Sequence, residues 1–296
     1  PYAADDIGLR MTHFVREETL LGKARVYVAA EVDVGSLEFR TEGDRETAAL
    51  NFLMVAISRE NGEFYRYDQK IDLKLEPETR DQLSRTWLPI VREFELEAGH
   101  YQAKIVLKDK TSGRLGSVIH NFEVPAMGGF RVSTPVVSDM REPTPDGKPG
   151  EQLAIVARRE FAPQGELFCQ LDVYGAVKLE SSGMPKVSMA YEVRRTDGVL
   201  YTNAARSLIL PTSMGGVSRM IGFPLEYAPE GDYEIVVLVR DELSGKKVLV
   251  REPFTVSAAA GPPPSMAPPP ADPAAASPTT APASTAVPDP AEPTGR

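Results

Sequence analysis

The acidic and hydroxyl side chains best placed to do chemistry belong to a short motif, Asp-x-x-Ser-Gly, that occurs twice. Its two copies are Asp109-x-x-Ser112-Gly113 and Asp241-x-x-Ser244-Gly245. Asp and Ser oxygens in a loop can bind Ca²⁺, but this ion takes about six to eight oxygen ligands. Each loop offers two or three, among Lys and Arg side chains. Aspartate also hydrogen-bonds backbone groups in turns, and glycine supplies a positive φ, so the motif favours a structural turn.

The three histidines of the chain, His13, His100 and His120, do not lie at the spacing of metal ligands. His120 falls on the apolar face of its predicted strand, and an internal repeat places Glu252 at the matching position. A His exchanged for Glu between two copies indicates a polar position at a sheet edge rather than part of a ligand shell. We therefore expect no metal site at these residues.

No sequence motif of the common enzyme classes is present. The chain contains no G-x-S-x-G, no Walker A loop, no G-x-G-x-x-G after a strand and no H-E-x-x-H. Its single cysteine, Cys169, excludes an internal disulfide and a multi-cysteine metal site. Cys169 shares the apolar face of an alternating strand, so we expect a buried thiol. These observations predict a protein that is not an enzyme and that uses no cofactor.

Aromatic side chains beyond two predicted turns are the remaining candidates for a binding surface. Tyr65 and Tyr67 follow one turn, next to Phe64, and Tyr201 takes the related place in the second half of the chain. Aromatic rings at such places are platforms for sugars. Alternation puts Tyr65 and Tyr67 on the same strand face, where both also fit a hydrophobic core. The binding candidates are thus Tyr65, Tyr67 and Tyr201, with core packing as the alternative.

All these residues are organised around one stretch that the chain uses twice. Tyr101–Val124 (YQAKIVLKDKTSGRLGSVIHNFEV) recurs as Tyr233–Val256 (YEIVVLVRDELSGKKVLVREPFTV) at a constant offset of 132 residues, without a gap. In each copy, two segments of alternating apolar and polar residues flank a short turn, which predicts a hairpin that closes a sandwich. A Gly two residues before each leading Tyr resembles the tyrosine corner of immunoglobulin-like sandwiches, in which the Tyr hydroxyl bonds back to the backbone.

The remaining pattern predicts an all-β chain of two tandem immunoglobulin-like or fibronectin type III-like β-sandwiches. Asn61-Gly62 and Asp197-Gly198 are hairpin signals at matching places in the two halves. Residues 77–85 predict one short helical turn, residues 142–150 a surface loop, and residues 151–159 a strand. The predicted domains are residues 1–126, residues 127–256 and a disordered tail, residues 257–296, rich in Pro, Ala, Ser and Thr.

Composition limits the possible partners. A formal net charge of −9 provides no basic field for nucleic acid or for an anionic membrane as the main partner. No apolar run reaches the length of about 18 residues that spans a bilayer, and no signal peptide is present. The chain starts at Pro1 rather than Met, which indicates a processed or excised product. A single cysteine is compatible with the cytoplasm, the periplasm or a cell surface.

The repeated pattern G-x-Y…D-x-x-S-G…F-x-V-P appears here as EAGHYQAKIVLKDKTSGRLGSVIHNFEVP, preceded by KARVYVAAEVDV and LKLEPETRDQL. Over most of residues 6–256, it resembles the C-terminal region of bacterial von Willebrand factor type A-related proteins. The resemblance implies a protein outside the cytoplasm, in the periplasm, on the cell surface or secreted, with a metal-dependent adhesion domain upstream. The D-x-S-x-S metal motif of that domain is absent from these residues, so no metal ligand carries over.

We therefore predict a non-enzymatic structural or interaction module outside the cytoplasm. It would be a spacer or protein-binding part of a larger surface or secreted bacterial protein, with an unknown protein or glycan as partner. The alternative is a carbohydrate-binding module that uses the loop aromatics. Duplicated core positions without any duplicated reactive group favour the first hypothesis.

Overall fold

The computed structural model describes residues 4–144 and 151–260, and the predicted tail lies outside these residues from residue 261 onward. Within them the chain forms one α-helix, two 3-10 helices (Val34–Ser36 and Ala258–Ala260) and a series of strands. The bounds are β1 Leu9–Glu18, β2 Ala24–Val32, β3 Arg40–Glu42, β4 Arg45–Ser58, β5 Phe64–Leu75, α1 Pro77–Thr86, β6 Leu88–Leu96, β7 Gly99–Asp109, β8 Leu115–Val124, β9 Arg131–Val132, β10 Val136–Ser138, β11 Arg141–Pro143, β12 Glu151–Leu153, β13 Glu160–Phe161, β14 Glu166–Tyr174, β15 Val187–Arg195, β16 Leu200–Ile209, β17 Val217–Pro224, β18 Gly231–Asp241 and β19 Lys247–Val256.

Strands β1 to β8 form the first sandwich. One sheet has the order β1-β2-β6, and the other has the order β5-β4-β7-β8, with β3 added to β4. The sequence of these strands alternates apolar and polar residues, so that one face of each strand points into the core. On β7, the row Tyr101, Ala103, Ile105 and Leu107 is buried between the sheets, as the pattern predicts. Neighbouring strands are joined by antiparallel pairing, and β4 is central, with β5 on one side and β7 on the other.

Strands β9, β10 and β13 to β19 form the second sandwich, whereas β11 and β12 pair with each other in a separate two-stranded sheet. Its smaller sheet has the order β10-β14-β17, and its larger sheet has the order β13-β19-β18-β15-β16. The matching row on β18, Tyr233, Ile235, Val237 and Val239, is again buried. Because seven strands keep the same order in both sandwiches, each is an immunoglobulin-like, fibronectin type III-like sandwich. The predicted fold class is confirmed, whereas the predicted domain boundary after residue 126 stays a prediction.

Three local expectations need correction. Residues 77–85 were expected to form one turn, but α1 is a ten-residue helix, begun by Pro77 at its first turn. The predicted loop of residues 142–150 begins inside β11, which pairs with β12, and its residues 145–150 lie outside the described part of the chain. The predicted strand of residues 151–159 ends at Leu153, because the apolar residues beyond it are buried without a sheet partner.

A small hydrophobic cluster joins the two sandwiches, and we call it the junction core. It contains the buried side chains Phe14, Ala29, Val136, Leu153 and Ala157. Phe14 and Ala29 belong to the outer face of the β1-β2-β6 sheet, and Val136 belongs to the β10-β14-β17 sheet. We call residues 154–159 the junction segment. Leu153 directly precedes this segment, and Ala157 lies within it. The described residues belong to one compact unit.

Candidate functional sites

The duplicated Asp-x-x-Ser-Gly motifs form turns whose aspartates are fully buried. Asp109 accepts hydrogen bonds from the Ser112 hydroxyl at 2.7 Å and from the Glu38 N–H at 3.0 Å. Asp241 does the same with the Ser244 hydroxyl at 2.6 Å and the Val177 N–H at 3.0 Å. The carboxylate oxygens are therefore occupied by the protein itself.

The electrostatics of these turns agree with a structural role. Burial alone would raise the pKa of Asp109 and Asp241. Hydrogen bonds from the serine hydroxyls and backbone N–H groups outweigh burial and hold both pKa values below the usual value. Among the described residues, no group of three His, Cys, Asp or Glu side chains is arranged to hold a metal ion. The turns tie the β7–β8 and β18–β19 hairpins to a neighbouring loop.

Both predicted tyrosine corners are formed. The Tyr101 hydroxyl donates to the Glu97 carbonyl at 3.1 Å, and the Tyr233 hydroxyl donates to the Pro229 carbonyl at 2.7 Å. Both rings are buried and stack on an aromatic ring of the next strand, Phe122 in one case and Phe254 in the other.

Removing either corner hydroxyl should weaken the fold. We expect Tyr101→Phe and Tyr233→Phe each to lower the free energy of unfolding by about 0.5–1.5 kcal/mol, the net contribution of one hydrogen bond. Urea unfolding followed by far-UV circular dichroism measures this loss. Unfolding midpoints equal to that of the parent protein would show that the corner bonds do not contribute.

The structure places Tyr65, Tyr67 and Tyr201 in partly buried positions against the two cores. The Tyr67 hydroxyl donates to the Gln69 side chain at 2.7 Å, and the Arg92 guanidinium lies 4.2 Å above the Tyr67 ring. The Tyr201 hydroxyl donates to the Pro224 carbonyl at 2.7 Å. The neighbouring Phe64 is the exposed ring of the group.

Tyr65 and Tyr67 line a shallow groove of about 460 Å³, which we call the edge groove. It runs along the open side of the first sandwich, between β5 and β6. Its other walls come from the β1–β2 turn, through Leu21 and Lys23, and from residues 92–95 of β6. The sequence candidates Tyr65 and Tyr67 are thus brought together, whereas Tyr201 lies in the second sandwich.

A pair of histidines that sequence reasoning missed closes the other side of the first sandwich. His13 Nδ1 lies 2.8 Å from His120 Nε2, so β1 and β8 are joined by a hydrogen bond between rings. The His13 ring also stacks on Phe122, with centroids 4.6 Å apart. The signal available in the sequence was the position of His120 on the apolar face of its strand.

This histidine pair belongs to a cluster of titratable side chains that also contains Glu252 and Arg159, the last residue of the junction segment. Burial, followed by the charges of His120 and Arg159, lowers the pKa of His13 to about 4. Burial also lowers the pKa of His120. Glu252 occupies on β19 the place that His120 has on β8, and burial raises its pKa to about 7, against the opposing effect of Arg159. His120 and Glu252 occupy equivalent positions in the two copies of the repeat, and both are titratable groups near the Arg159 guanidinium.

The pH dependence of stability has opposite signs at His13 and Glu252. Folding disfavours the charged His13, so its contribution is present above pH 6.5 and is lost as the pH falls toward 4. Folding also disfavours the charged Glu252, so its contribution is present below pH 4.5 and is lost as the pH rises through 7. Between these limits the two effects offset each other.

Replacing Glu252 by Gln should expose the histidine effect. On acidification from pH 7 to pH 4.5, Glu252→Gln is expected to lose stability more steeply than the parent, by roughly 1–2 kcal/mol after allowance for solvent screening. Urea titrations at several pH values measure this, with Glu42→Gln at an exposed position as the control. Parallel profiles for parent and Glu252→Gln would contradict the assignment.

Hydrogen bonds and ion pairs surround the junction core. The Ala157 N–H donates to Glu31 Oε1 at 3.2 Å, and the Val15 N–H donates to the Thr134 hydroxyl at 3.0 Å. Arg16 of β1 forms an ion pair with an aspartate of β14. Each of these contacts joins residues more than 100 positions apart. The outer faces of the two smaller sheets are thus fixed to each other by apolar and polar contacts.

Comparison with known proteins gives structural likenesses alone. No protein-family model matches the chain, and no curated protein matches it. Trypsin-activated alpha-2-macroglobulin from Escherichia coli is similar over 86% of this chain and 17% of that one, with 9% identity and a TM-score of 0.25. The same E. coli protein activated by porcine elastase gives 84% and 22%, with 10% identity and a TM-score of 0.26.

The fibronectin(III)-like modules of Clostridium thermocellum CbhA are similar over 83% of this chain and 92% of that one, with 11% identity and a TM-score of 0.20. The chain spans about a fifth of the length of the alpha-2-macroglobulins that it matches. In the part of the chain that the structure describes, no helix is long and apolar enough to cross a membrane. Because these TM-scores are low, the fold class rests on the strand order of the two sandwiches and on their hydrophobic cores.

Proposed function

We propose that this chain is a non-enzymatic structural and interaction module in which two sandwiches are held in one fixed arrangement. It presents binding surfaces at a set spacing within a larger protein. Linked domains generally move relative to one another unless their interface is large and hydrophobic. The observation that carries the proposal is the junction core, because it gives the two sandwiches a shared hydrophobic interior.

The energetics of the junction favour coupling. Burying a side chain of the size of Phe14 or Leu153 contributes about 1.5–3 kcal/mol each. Val136 contributes in the same range, Ala29 and Ala157 add smaller amounts, and the buried N–H of Ala157 has its acceptor in Glu31 across the junction. Separating the sandwiches would return these apolar side chains to water and would leave the Ala157 N–H without its acceptor. Separation of the sandwiches should therefore accompany unfolding.

The chain carries two natural probes for this coupling. Its single tryptophan, Trp87, lies at the end of α1 in the first sandwich, and its single cysteine, Cys169, is buried on β14 in the second. Coupled sandwiches require that tryptophan fluorescence and thiol reactivity report one unfolding midpoint in urea. Phe14→Ala, which leaves a cavity in the junction core, should lower that midpoint or split it. Separate midpoints in the parent protein would overturn the proposal.

The location outside the cytoplasm belongs to the same proposal. It is supported by the resemblance to von Willebrand factor type A-related proteins, which stays a prediction. Fractionation of cells that produce the native protein tests it. Recovery from the periplasm, the surface or the medium supports the location, and recovery from the cytoplasm contradicts it. A glycan or peptide hydrolysis activity that one point substitution abolishes would contradict the non-enzymatic role.

A further inference from the structure

We propose that one end of the second sandwich binds the surface of an anionic lipid bilayer, with apolar side chains inserted among the headgroups and lysines around them. This end, which we call the turn end, consists of the loops of residues 175–186, 210–216 and 242–246. The inference deepens the proposed interaction function, on which it rests, by naming a partner. It is independent of the junction core, because no residue of that core lies in these loops.

The three loops of the turn end form one continuous surface. The Glu242 N–H donates to the Lys186 carbonyl at 2.8 Å, so the first and third loops run side by side. The second loop reaches the first, since a Cβ atom on Gly215 would lie 3.7 Å from the Pro185 ring. Side chains on different loops therefore act together toward a partner.

Every loop of the turn end exposes apolar side chains. In the second loop, Leu210 is 87% exposed and Met214 is 90% exposed. The first and third loops add the exposed side chains Val177, Leu179 and Leu243. Single exposed apolar residues are ordinary on a protein surface, whereas a group that converges on one end marks an interaction surface.

The first sandwich covers the apolar side chains at its corresponding end. There, α1 connects β5 to β6, as the loop of residues 210–216 connects β16 to β17. Leu83 of α1 and the neighbouring Phe39 pack against the core of the first sandwich. Residues 210–216 are all described and form no helix, so Leu210 and Met214 stay in water until a partner covers them.

The turn end is basic, although the chain as a whole is acidic. Its exposed lysines, none of which has a described carboxylate within ion-pair distance, are Lys178, Lys186, Lys246 and Lys247. Of the nearby acids, Asp241 is buried in its own turn, and Glu242 lies 3.8 Å from Arg206 and 3.6 Å from Arg240. Glu180 is the remaining acid of the three loops, so the exposed charge is positive.

This local charge decides how an anionic surface meets the turn end. The net charge of −9 disfavours an anionic membrane for the chain as a whole, but it does not determine the field at one end. At an ionic strength of about 0.1 M the Debye length is about 10 Å, so more distant charges are largely screened. Each lysine held near an anionic membrane surface favours binding by about fivefold.

A bilayer suits this surface better than a folded protein does. The exposed apolar side chains come from three separate turns, so a rigid partner would need a separate pocket for each turn. A fluid bilayer adapts to such projections and takes apolar side chains into the boundary between headgroups and acyl chains. Its anionic lipids attract the surrounding lysines at the same time. Apolar contact and charge complementarity are thus satisfied together.

Binding of the full chain to vesicles tests the electrostatic part of the proposal. The probe is vesicles of phosphatidylcholine and phosphatidylglycerol in equal amounts, measured by co-sedimentation. Binding should fall as salt rises, and vesicles of phosphatidylcholine alone should bind about tenfold more weakly or less. Lys178→Ala and Lys246→Ala should each weaken binding by about fivefold, whereas Lys110→Ala, in the turn of the first repeated hairpin, should bind as the parent does. Absence of binding, or equal binding of both vesicle types, would overturn the proposal.

Substitution of the exposed apolar side chains tests their insertion. Leu210→Ser and Met214→Ser should each weaken binding to the anionic vesicles by about tenfold, because each removes an apolar side chain that leaves water on binding. Leu20→Ser is the matched control, since Leu20 is also fully exposed but lies at the β1–β2 turn beside Glu17 and Glu18. It should leave binding unchanged. Equal losses for Leu20→Ser and Leu210→Ser would contradict binding through the turn end.

A fluorescent label shows whether the turn end enters the bilayer. Ser213→Cys places a nitrobenzoxadiazole label between Leu210 and Met214, while the buried Cys169 should stay unlabelled. Its emission should shift to shorter wavelengths on the anionic vesicles, and that of a label at Lys110→Cys should not shift. An unshifted Ser213→Cys label on bound vesicles would overturn insertion.

Immobilised poly-glutamate distinguishes an acidic partner protein from a lipid surface. It should retain the chain less than the vesicles do, because it offers no apolar phase. Retention equal to that on vesicles, unaffected by Leu210→Ser, would assign the turn end to an acidic protein and overturn the lipid proposal. The shared unfolding midpoint of the two sandwiches is measured without lipid, so failure here leaves the coupled-module proposal separately testable.

Discussion

Replacing Arg158 by Ala is expected to lower the free energy of unfolding by about 3–5 kcal/mol. Arg158 forms an ion pair with Asp139, and both side chains are more than nine-tenths buried. The pair fastens the junction segment to the residue that follows β10. Removal of the guanidinium leaves a carboxylate buried without its counter-charge, which costs more than the pair itself contributes. Urea unfolding at pH 7 measures the loss.

The pH dependence of the Arg158→Ala effect identifies its cause. Burial already raises the pKa of Asp139, against the opposing effect of Arg158. Without Arg158 the carboxyl should take up a proton more easily, so the destabilisation should shrink as the pH falls. Arg45→Ala, which removes an exposed pair with Glu76, should cost at most about 1 kcal/mol. Equal losses for the two substitutions would contradict the assignment of a buried pair.

Gly175→Ala is expected to lower the free energy of unfolding by about 2–5 kcal/mol. Gly175 follows β14 with φ +66°, a left-handed conformation that costs a side chain about 1–2 kcal/mol. A Cβ atom there would lie 1.9 Å from the Gly129 carbonyl oxygen, which is backbone and cannot rotate away. The forced backbone shift adds about 1–3 kcal/mol.

Gly183→Ala separates these two contributions. Gly183 has φ +67°, and a Cβ atom there would meet nothing within 4 Å. We expect it to lose the conformational part alone, about 1–2 kcal/mol. Paired urea titrations of the two variants give the contribution of the close approach between Gly175 and Gly129. A difference near zero would show that the chain near residue 129 adjusts without cost.

The sequence predicted the parts of the fold that repeat or alternate. Tyr101 and Tyr233 identified both corners because a glycine at a fixed distance precedes each tyrosine. Asp109 and Asp241 were assigned to turns because few oxygens accompany them. Such features depend on neighbours along the chain, so local spacing is enough to find them.

The features that the sequence did not predict are contacts between distant parts of the chain. The junction segment alternates poorly because it is buried between two sheets rather than within one, and a run of apolar residues does not reveal its partner. His13 and His120 are 107 residues apart, and nothing in their spacing predicts a bond. Tyr65 and Tyr201 look equivalent in sequence, yet the Tyr201 hydroxyl donates to the Pro224 carbonyl, whereas Tyr65 lines the edge groove beside Glu63.

The central claim is that the two sandwiches keep one fixed arrangement, and a distance distribution between them tests it most directly. Spin labels at Lys110→Cys and Lys246→Cys occupy the exposed turns of the two repeated hairpins, while Cys169 is buried and should stay unlabelled. Double electron–electron resonance should give a single narrow distance distribution, which Phe14→Ala broadens. A broad distribution in the parent protein would contradict the claim that the junction core holds the sandwiches together.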